Sequence, residues 1–218
     1  MEIGKYIDHT NLKMDATSKD IAKLCREAIE YGFENVCVNP CYVALAKDML
    51  KDTNIGVCTV VGFPLGATTP KVKSYEAIEA CENGADEIDM VINVGALKDK
   101  DYDFIKKEIE EVRDCIDGKV LKVIIETSLL EDEEIIKMTE ICNETFVNFI
   151  KTNTGFGKRG VSPHDVKLIS KYKDDILEIK ASGGITTFKQ MDELIKAGAT
   201  RIGTSHSVDI VTHMKEEK

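Results

Sequence analysis

Apolar and polar positions follow two periods that take turns along the chain. Short apolar runs, most of them rich in Val and Ile, lie at 6–10, 35–39, 55–62, 87–94, 120–126, 146–152, 177–181 and 201–205. Most end in Gly, Asn, Thr, Ser or Pro, as buried parallel strands entering loops do. The first run is the least strand-like and takes its assignment from its place in the series. Between the runs the apolar spacing becomes helical. Ile21, Leu24, Cys25 and Ala28 form one stripe behind a Thr17/Ser18 cap. Ile105, Ile109, Val112 and Ile116 form a second, and Ile135, Met138 and Cys142 a third after Glu131-Asp132. Ser162-Pro163 opens a helix containing Val166 and Ile169, with Pro in the first turn. Gly32, Gly84, Gly118 and Gly198 then lead into the next strands.

Eight strands alternating with helices have two usual solutions, an open doubly wound sheet or a closed (β/α)8 TIM barrel. No Gly-x-Gly-x-x-Gly fingerprint follows the first strand. A repeat of roughly 25 to 30 residues fits the lower end of barrel sizes. The pattern predicts one α/β barrel domain over 1–218, with its site where strands run into the following helices.

Composition narrows this. With 29 Lys+Arg against 39 Asp+Glu the net charge is −10, which argues against general nucleic-acid binding. An anionic substrate must be held by local positive groups. The 7 cysteines include no Cys-x-x-Cys pair and do not cluster with the 4 histidines, a pattern of buried free thiols in a reducing cytoplasm. There is no signal core, and no apolar run reaches the roughly 18 to 20 residues of a membrane span.

The informative residues are charges inside apolar runs. Asp89, Lys122, Lys151 and Lys180 each sit in or at the end of a strand. A buried unpaired charge is costly, so each needs compensation or a function. One carboxylate facing up to three ammonium groups leaves excess positive charge, which favours a neutral amine, the nucleophile that makes a Schiff base with a carbonyl. Singly, each lysine also fits a snorkelling or ion-paired role, and Asp89 a structural pair. Lys122 is the weakest case, since Asp89 and Glu126 are structural partners for it. A second constellation is rich in glycine and hydroxyls: Thr152 to Gly157, Ser182-Gly183-Gly184 and Gly203-Thr204-Ser205. Such loops let backbone N–H groups approach an anion, and barrels often hold phosphate after strands 7 and 8. By pattern alone, Asp8 reads as a capping group or a site residue, His9 as a polar core residue or a site residue, Cys37 and Cys41 as core, and His206 as a neighbour of the phosphate loop or a solvent-facing side chain.

Several segments together resemble the deoxyribose-phosphate aldolase family, class I aldolases on a (β/α)8 barrel. They are Asp8-His9-Thr10, Val36 to Pro40, Val61 to Gly66, Gly84 to Asp89, Lys122 to Thr127, Phe149 to Thr152, Lys180 to Ile185 and Ala199 to Ser205. The resemblance implies cleavage of 2-deoxy-D-ribose 5-phosphate to acetaldehyde and D-glyceraldehyde 3-phosphate, without metal or other cofactor. It implies Lys151 as the Schiff-base lysine, Lys180 as the neighbouring cation that favours the neutral amine, and Asp89 as the carboxylate handling protons. Gly155, Gly183, Gly184, Gly203 and Ser205 match positions at the phosphate end. Asp8, Cys37, Lys122 and Thr152 fall in matching motifs and are expected to face substrate. A homodimer or homotetramer is expected, with a phosphorylated sugar and aldehydes as the only other partners.

Departures from the family pattern are Asn153 for Ser, Thr186 for Arg and His206 for a second Ser, all expected at the phosphate end. The tail 214–218 lacks the terminal Tyr that some relatives insert into the site. Two readings compete: a Schiff-base barrel aldolase for another phosphorylated sugar, and a non-catalytic barrel that binds phosphometabolites.

Overall fold

The computed structural model describes residues 3–216. Eight strands lie in chain order: β1 (Ile7–Asn11), β2 (Asn35–Val38), β3 (Gly56–Val61), β4 (Glu87–Val91), β5 (Val120–Ile124), β6 (Phe149–Lys151), β7 (Glu178–Ser182) and β8 (Arg201–Thr204). Each pairs in parallel with the next, and β1 with β8 at Ile7↔Ile202, which closes the barrel. The outer ring comprises α1 (Ser18–Tyr31), α2 (Val43–Leu50), α3 (Pro70–Glu82), α4 (Val94–Lys98), α5 (Tyr102–Cys115), α6 (Asp132–Glu144), α7 (Pro163–Tyr172), α8 (Phe188–Ala197) and α9 (Ser207–Glu216). The caps expected at Thr17 and Ser162 form, and Thr187 adds one that the sequence pattern had not placed. Thr17 accepts from Asp20 N, and Ser162 and Thr187 close capping boxes of the same kind.

Alternation along each strand separates two environments. Ile88, Met90, Leu121, Val123, Ile150, Ile179, Ala181 and Ile202 face the helices, where their packing against the helical stripes makes the main hydrophobic core. The opposite positions, facing the barrel axis, carry Asp8, Asn35, Glu87, Asp89, Lys122, Lys151, Lys180 and Arg201. A barrel interior is usually filled by branched apolar side chains. Here, among the described residues, only Leu12, Cys37, Cys58 and Val60, with Phe63 against them, form an apolar cluster apart from the main core.

Most expected runs overshoot their strands, those at 87–94, 120–126 and 146–152 by two residues or more at one end. β4 stops at Val91 because Asn93 turns the chain and caps α4 by accepting from Ala96 N. β5 stops at Ile124 because Glu126 takes a left-handed φ of 55° and begins a short 3-10 turn. Cys41, expected in the core, is exposed, and Cys81 and Cys115 are only half-buried. Among the described residues no helix is long and apolar enough to cross a membrane.

Candidate active site

The ionic core occupies the barrel axis. Asp89 is fully buried and receives three ammonium groups. Lys122 Nζ donates to Oδ1 at 2.8 Å, while Lys151 and Lys180 donate to Oδ2 at 2.8 and 2.7 Å. Lys180 also touches Asp8 Oδ2 at 2.5 Å, an ionic contact without directed hydrogen-bond geometry. Lys122 pairs with Glu87 at 2.5 Å. Towards the other end of the barrel, Arg201 binds Asp8 at 2.8 Å and Glu87 at 3.1 Å, and the Asn35 amide donates to both carboxylates. The set therefore holds four cations and three carboxylates, where one carboxylate had been expected. Glu126 is not a partner of Lys122.

These contacts govern the charge states. Burial alone raises a carboxyl, but Lys122, Lys151 and Lys180 together hold Asp89 well below its ordinary value of 3.8. Asp8 is lowered in the same way against its burial, by Lys180, Lys122 and Arg201. Burial opposes the charge on Lys180 and Lys122, yet Asp8 and Asp89 around the first and Asp89 beside the second keep both above 10.5. Lys180 and Lys122 are fixed cations.

Two clusters of metal-capable atoms lie in this core, Cys37/Cys58/Asp89 and Asp8/Cys58/Glu87, each within 4.8 Å. Lys122 Nζ already stands 3.3 Å from Cys58 Sγ and 2.8 Å from Asp89 Oδ1. Ammonium groups thus take the cation position, and the surrounding positive charge makes the donor set a poor fit for a divalent ion.

Above this core, at the C-terminal ends of β1, β6, β7 and β8, opens a cavity of about 500 Å³. Lys151 lies at its floor with a 3% exposed side chain, whereas Lys122 and Lys180 are at 0%. The wall is built from the expected glycine loops: Gly155, Gly183, Gly184, Gly203 and Ser205 all line it. Gly183 has a φ of +94°, and a Cβ there would stand 3.1 Å from Asn153 Cβ. Gly203 has a different reason. A Cβ on it would come within 3.1 Å of Lys180 Cε, so the missing side chain makes room for the lysine stem.

The other expected substrate-facing residues lie elsewhere. Asp8, Cys37, Lys122 and Thr152 are fully buried and do not border the cavity. Asp8 is a member of the ionic core instead of a cap. Cys37 belongs to the small apolar cluster, and the Thr152 hydroxyl binds the Ser182 carbonyl at 3.2 Å. Of the three departures, Thr186 and His206 line the cavity, with Thr186 N–H bound to Gln190 and His206 beside Asp209. Asn153 is fully buried between Glu126 and Thr127, away from the cavity. The last two residues of the tail 214–218 lie outside the described residues, which end at 216. Sequence reasoning missed Glu87, Arg201 and Asn35. The signal was present for Glu87, two residues before Asp89 and hence on the same strand face, and for Arg201, which opens the last run.

Glu126 organises the rim. Its Oε1 accepts from Ser128 at 2.6 Å and Asn153 at 3.0 Å, and its Oε2 from Thr154 N at 3.0 Å and Thr154 Oγ1 at 2.5 Å. Burial disfavours its charge, but these donors prevail and its carboxyl is lowered. The loop after β6 is thereby pinned to the end of β5. Across it, Phe156 meets Phe63 edge to face at 5.4 Å.

A parallel eight-stranded barrel with one amine at the floor of a glycine-walled cavity is a barrel suited to carbonyl chemistry on a small anionic substrate. The chain belongs to the DeoC/LacD family aldolases, whose pattern matches residues 3–210. It is 55% identical to the deoxyribose-phosphate aldolase of Finegoldia magna, over 97% of this chain and 99% of that protein. Identity to the Thermococcus kodakarensis deoxyribose-phosphate aldolase is 53%, over 99% and 98% of the two chains. Among solved structures, the tetrameric deoxyribose phosphate aldolase of Aeropyrum pernix superposes with a TM-score of 0.91 at 30% identity, over 98% of this chain and 91% of that one.

Proposed function

We propose that this chain is a class I aldolase that reversibly cleaves 2-deoxy-D-ribose 5-phosphate into acetaldehyde and D-glyceraldehyde 3-phosphate. The observation that carries the reading is the floor of the cavity, where Lys151 alone of the three Asp89-bound lysines reaches open space. Relatives at about half identity along the whole chain supply the substrate.

Lys151 is the nucleophile of this reading, and its amine must shed a proton before attack. Asp89 Oδ2, 2.8 Å away, is the nearest acceptor, and Lys180 on the same oxygen opposes a second positive charge there. Attack on the C1 aldehyde and loss of water give a protonated imine. That imine is the electron sink: as the C3 hydroxyl loses its proton, the C2–C3 bond breaks and its pair moves into the enamine. Protonation at C2 and hydrolysis release acetaldehyde and free the amine. Asp89 is fully buried, so its exchange with substrate runs through Lys151 or a water in the cavity. The phosphoryl group lies, in this reading, against Gly183, Gly184, Gly203 and Ser205, where backbone donors and the start of α9 favour an anion.

Residues 1–218 are read as one catalytic barrel. The seven unpaired cysteines support a reducing, cytoplasmic setting. The tetrameric Aeropyrum pernix relative supports a homo-oligomer, for which Val72, Tyr75 and Ile78 on the outer face of α3 offer exposed apolar surface.

Acetaldehyde with borohydride tests the reading. Reduction of the imine leaves a two-carbon adduct, expected at Lys151 by peptide mapping. An adduct at Lys180 or Lys122, or none, overturns the assignment.

A further inference from the structure

The ionic core takes Asp8 from β1 and leaves its neighbour His9 unused. His9 is 3% exposed and faces the helices. Its Nε2 lies 2.9 Å from Glu27 Oε2 on α1, and its Nδ1 lies 3.0 Å from Ser207 Oγ at the start of α9. The Phe33 ring packs against it at 5.0 Å. The charged groups acting on the imidazole are Glu27 and Lys23, both on α1, and burial outweighs Glu27 to lower its value. A carboxylate only accepts, so the ring proton belongs on Nε2 and Nδ1 is an acceptor, an assignment made from the network. The Ser207 hydroxyl then has two acceptors in reach, His9 Nδ1 and the Thr204 carbonyl at 3.1 Å.

Between Thr204 and Ser207 lie only Ser205 and His206, and both line the cavity. The near end of this pair is held within the barrel, where Thr204 Oγ1 donates to Ile185 O at 2.7 Å and accepts from His206 N at 2.9 Å. The far end is held by Ser207, fully buried, against β1 through His9. We propose that His9 is a positioning residue: through Ser207 it fixes the Ser205–His206 edge of the cavity and so sets the geometry of phosphoryl binding. This rests on the reading of that edge as the phosphate end. Glu27 orients the ring, and both residues also border the cavity, where His9 is 3% exposed.

Two substitutions separate the two ring contacts. His9→Asn keeps a polar atom near Nδ1 and so keeps Ser207, but does not reach Glu27. His9→Gln reaches Glu27 and loses Ser207. Loss of one neutral hydrogen bond corresponds to about fivefold in binding. His9→Gln and Ser207→Ala are each expected to raise KM for deoxyribose 5-phosphate, and the dissociation constant of inorganic phosphate, by about fivefold, with kcat nearly unmoved. His9→Asn should stay within about twofold of wild type, and the His9→Gln/Ser207→Ala double variant should be no worse than either single one. Cleavage of unphosphorylated deoxyribose is the control for general damage. Equal shifts for both substrates, additive single effects, or His9→Asn behaving like His9→Gln overturn the proposal. Absence of phosphate binding in the wild type instead overturns the phosphate reading, and this inference with it.

Discussion

Asp89 carries three ammonium groups on two oxygens, and the reactivity of the floor depends on that sharing. In Lys180→Met the fixed cation that shares Asp89 Oδ2 with Lys151 is gone. Activity at neutral pH is expected to fall by on the order of a hundredfold or more, and the residual rate to climb with pH. A pH–rate profile parallel to wild type would show that Lys180 does not act on the nucleophile. Asp89→Asn removes the one carboxylate that all three lysines share. Proton relay follows carbonyl capture, so borohydride trapping at Lys151 should persist better than turnover. Trapping and turnover falling together would argue against a proton-handling role for Asp89.

Among the elements, the junction of β5 and β6 is held by one side chain. Glu126 has a left-handed φ of 55°, and four donors from Ser128, Asn153 and Thr154 converge on its carboxylate. Glu126→Ala leaves a buried backbone N–H and a buried amide without partners, at about 1–3 kcal/mol each. Urea unfolding should show a loss on the order of 3 kcal/mol, and KM should rise because Gly155 and Phe156 line the cavity. Normal stability in this variant would mean that the loop finds other donors and acceptors. The strand ends were the least readable part of the sequence for the same reason. Glu126 turns the chain through a side-chain bond to backbone 28 residues away and Asn93 through a local cap on Ala96 N, and apolar periodicity carries no trace of either.

For the molecule as a whole, the ionic core links stability to pH on both sides. Asp8 and Asp89 are held below 3.8 in the fold, so the unfolded chain takes up their protons first. Their stabilisation is complete above about pH 4 and is lost as pH falls towards the folded values. Lys122 and Lys180 are held above 10.5, so theirs is complete below that value and is lost as pH rises through the folded ones. Unfolding free energy should therefore be flat between these limits as far as this core is concerned. Arg201→Met strips Asp8 and Glu87 of a cation whose side chain is 12% exposed, at about 3–5 kcal/mol near neutrality. The folded Asp8 value then moves back up, so less is lost on acidification. The gap between variant and wild type should narrow below about pH 4, and a gap independent of pH would contradict this account of the core.

Periodicity and capping chemistry are local properties, and they sufficed for eight strands, the main helices and closure into a barrel. The same local signals marked Asp89, Lys122, Lys151 and Lys180 as anomalous, because a charge inside an apolar run stands out without any partner in view. Their ranking was different. Lys151, Lys180 and Lys122 look alike in sequence, and only closure of the barrel puts one at the floor of a cavity and locks the others against Asp8 and Glu87. Asp8 and Arg201 are 193 residues apart and meet because β1 pairs with β8. Compensation of buried charge is a sum over neighbours from the whole chain, and no window of sequence contains that sum.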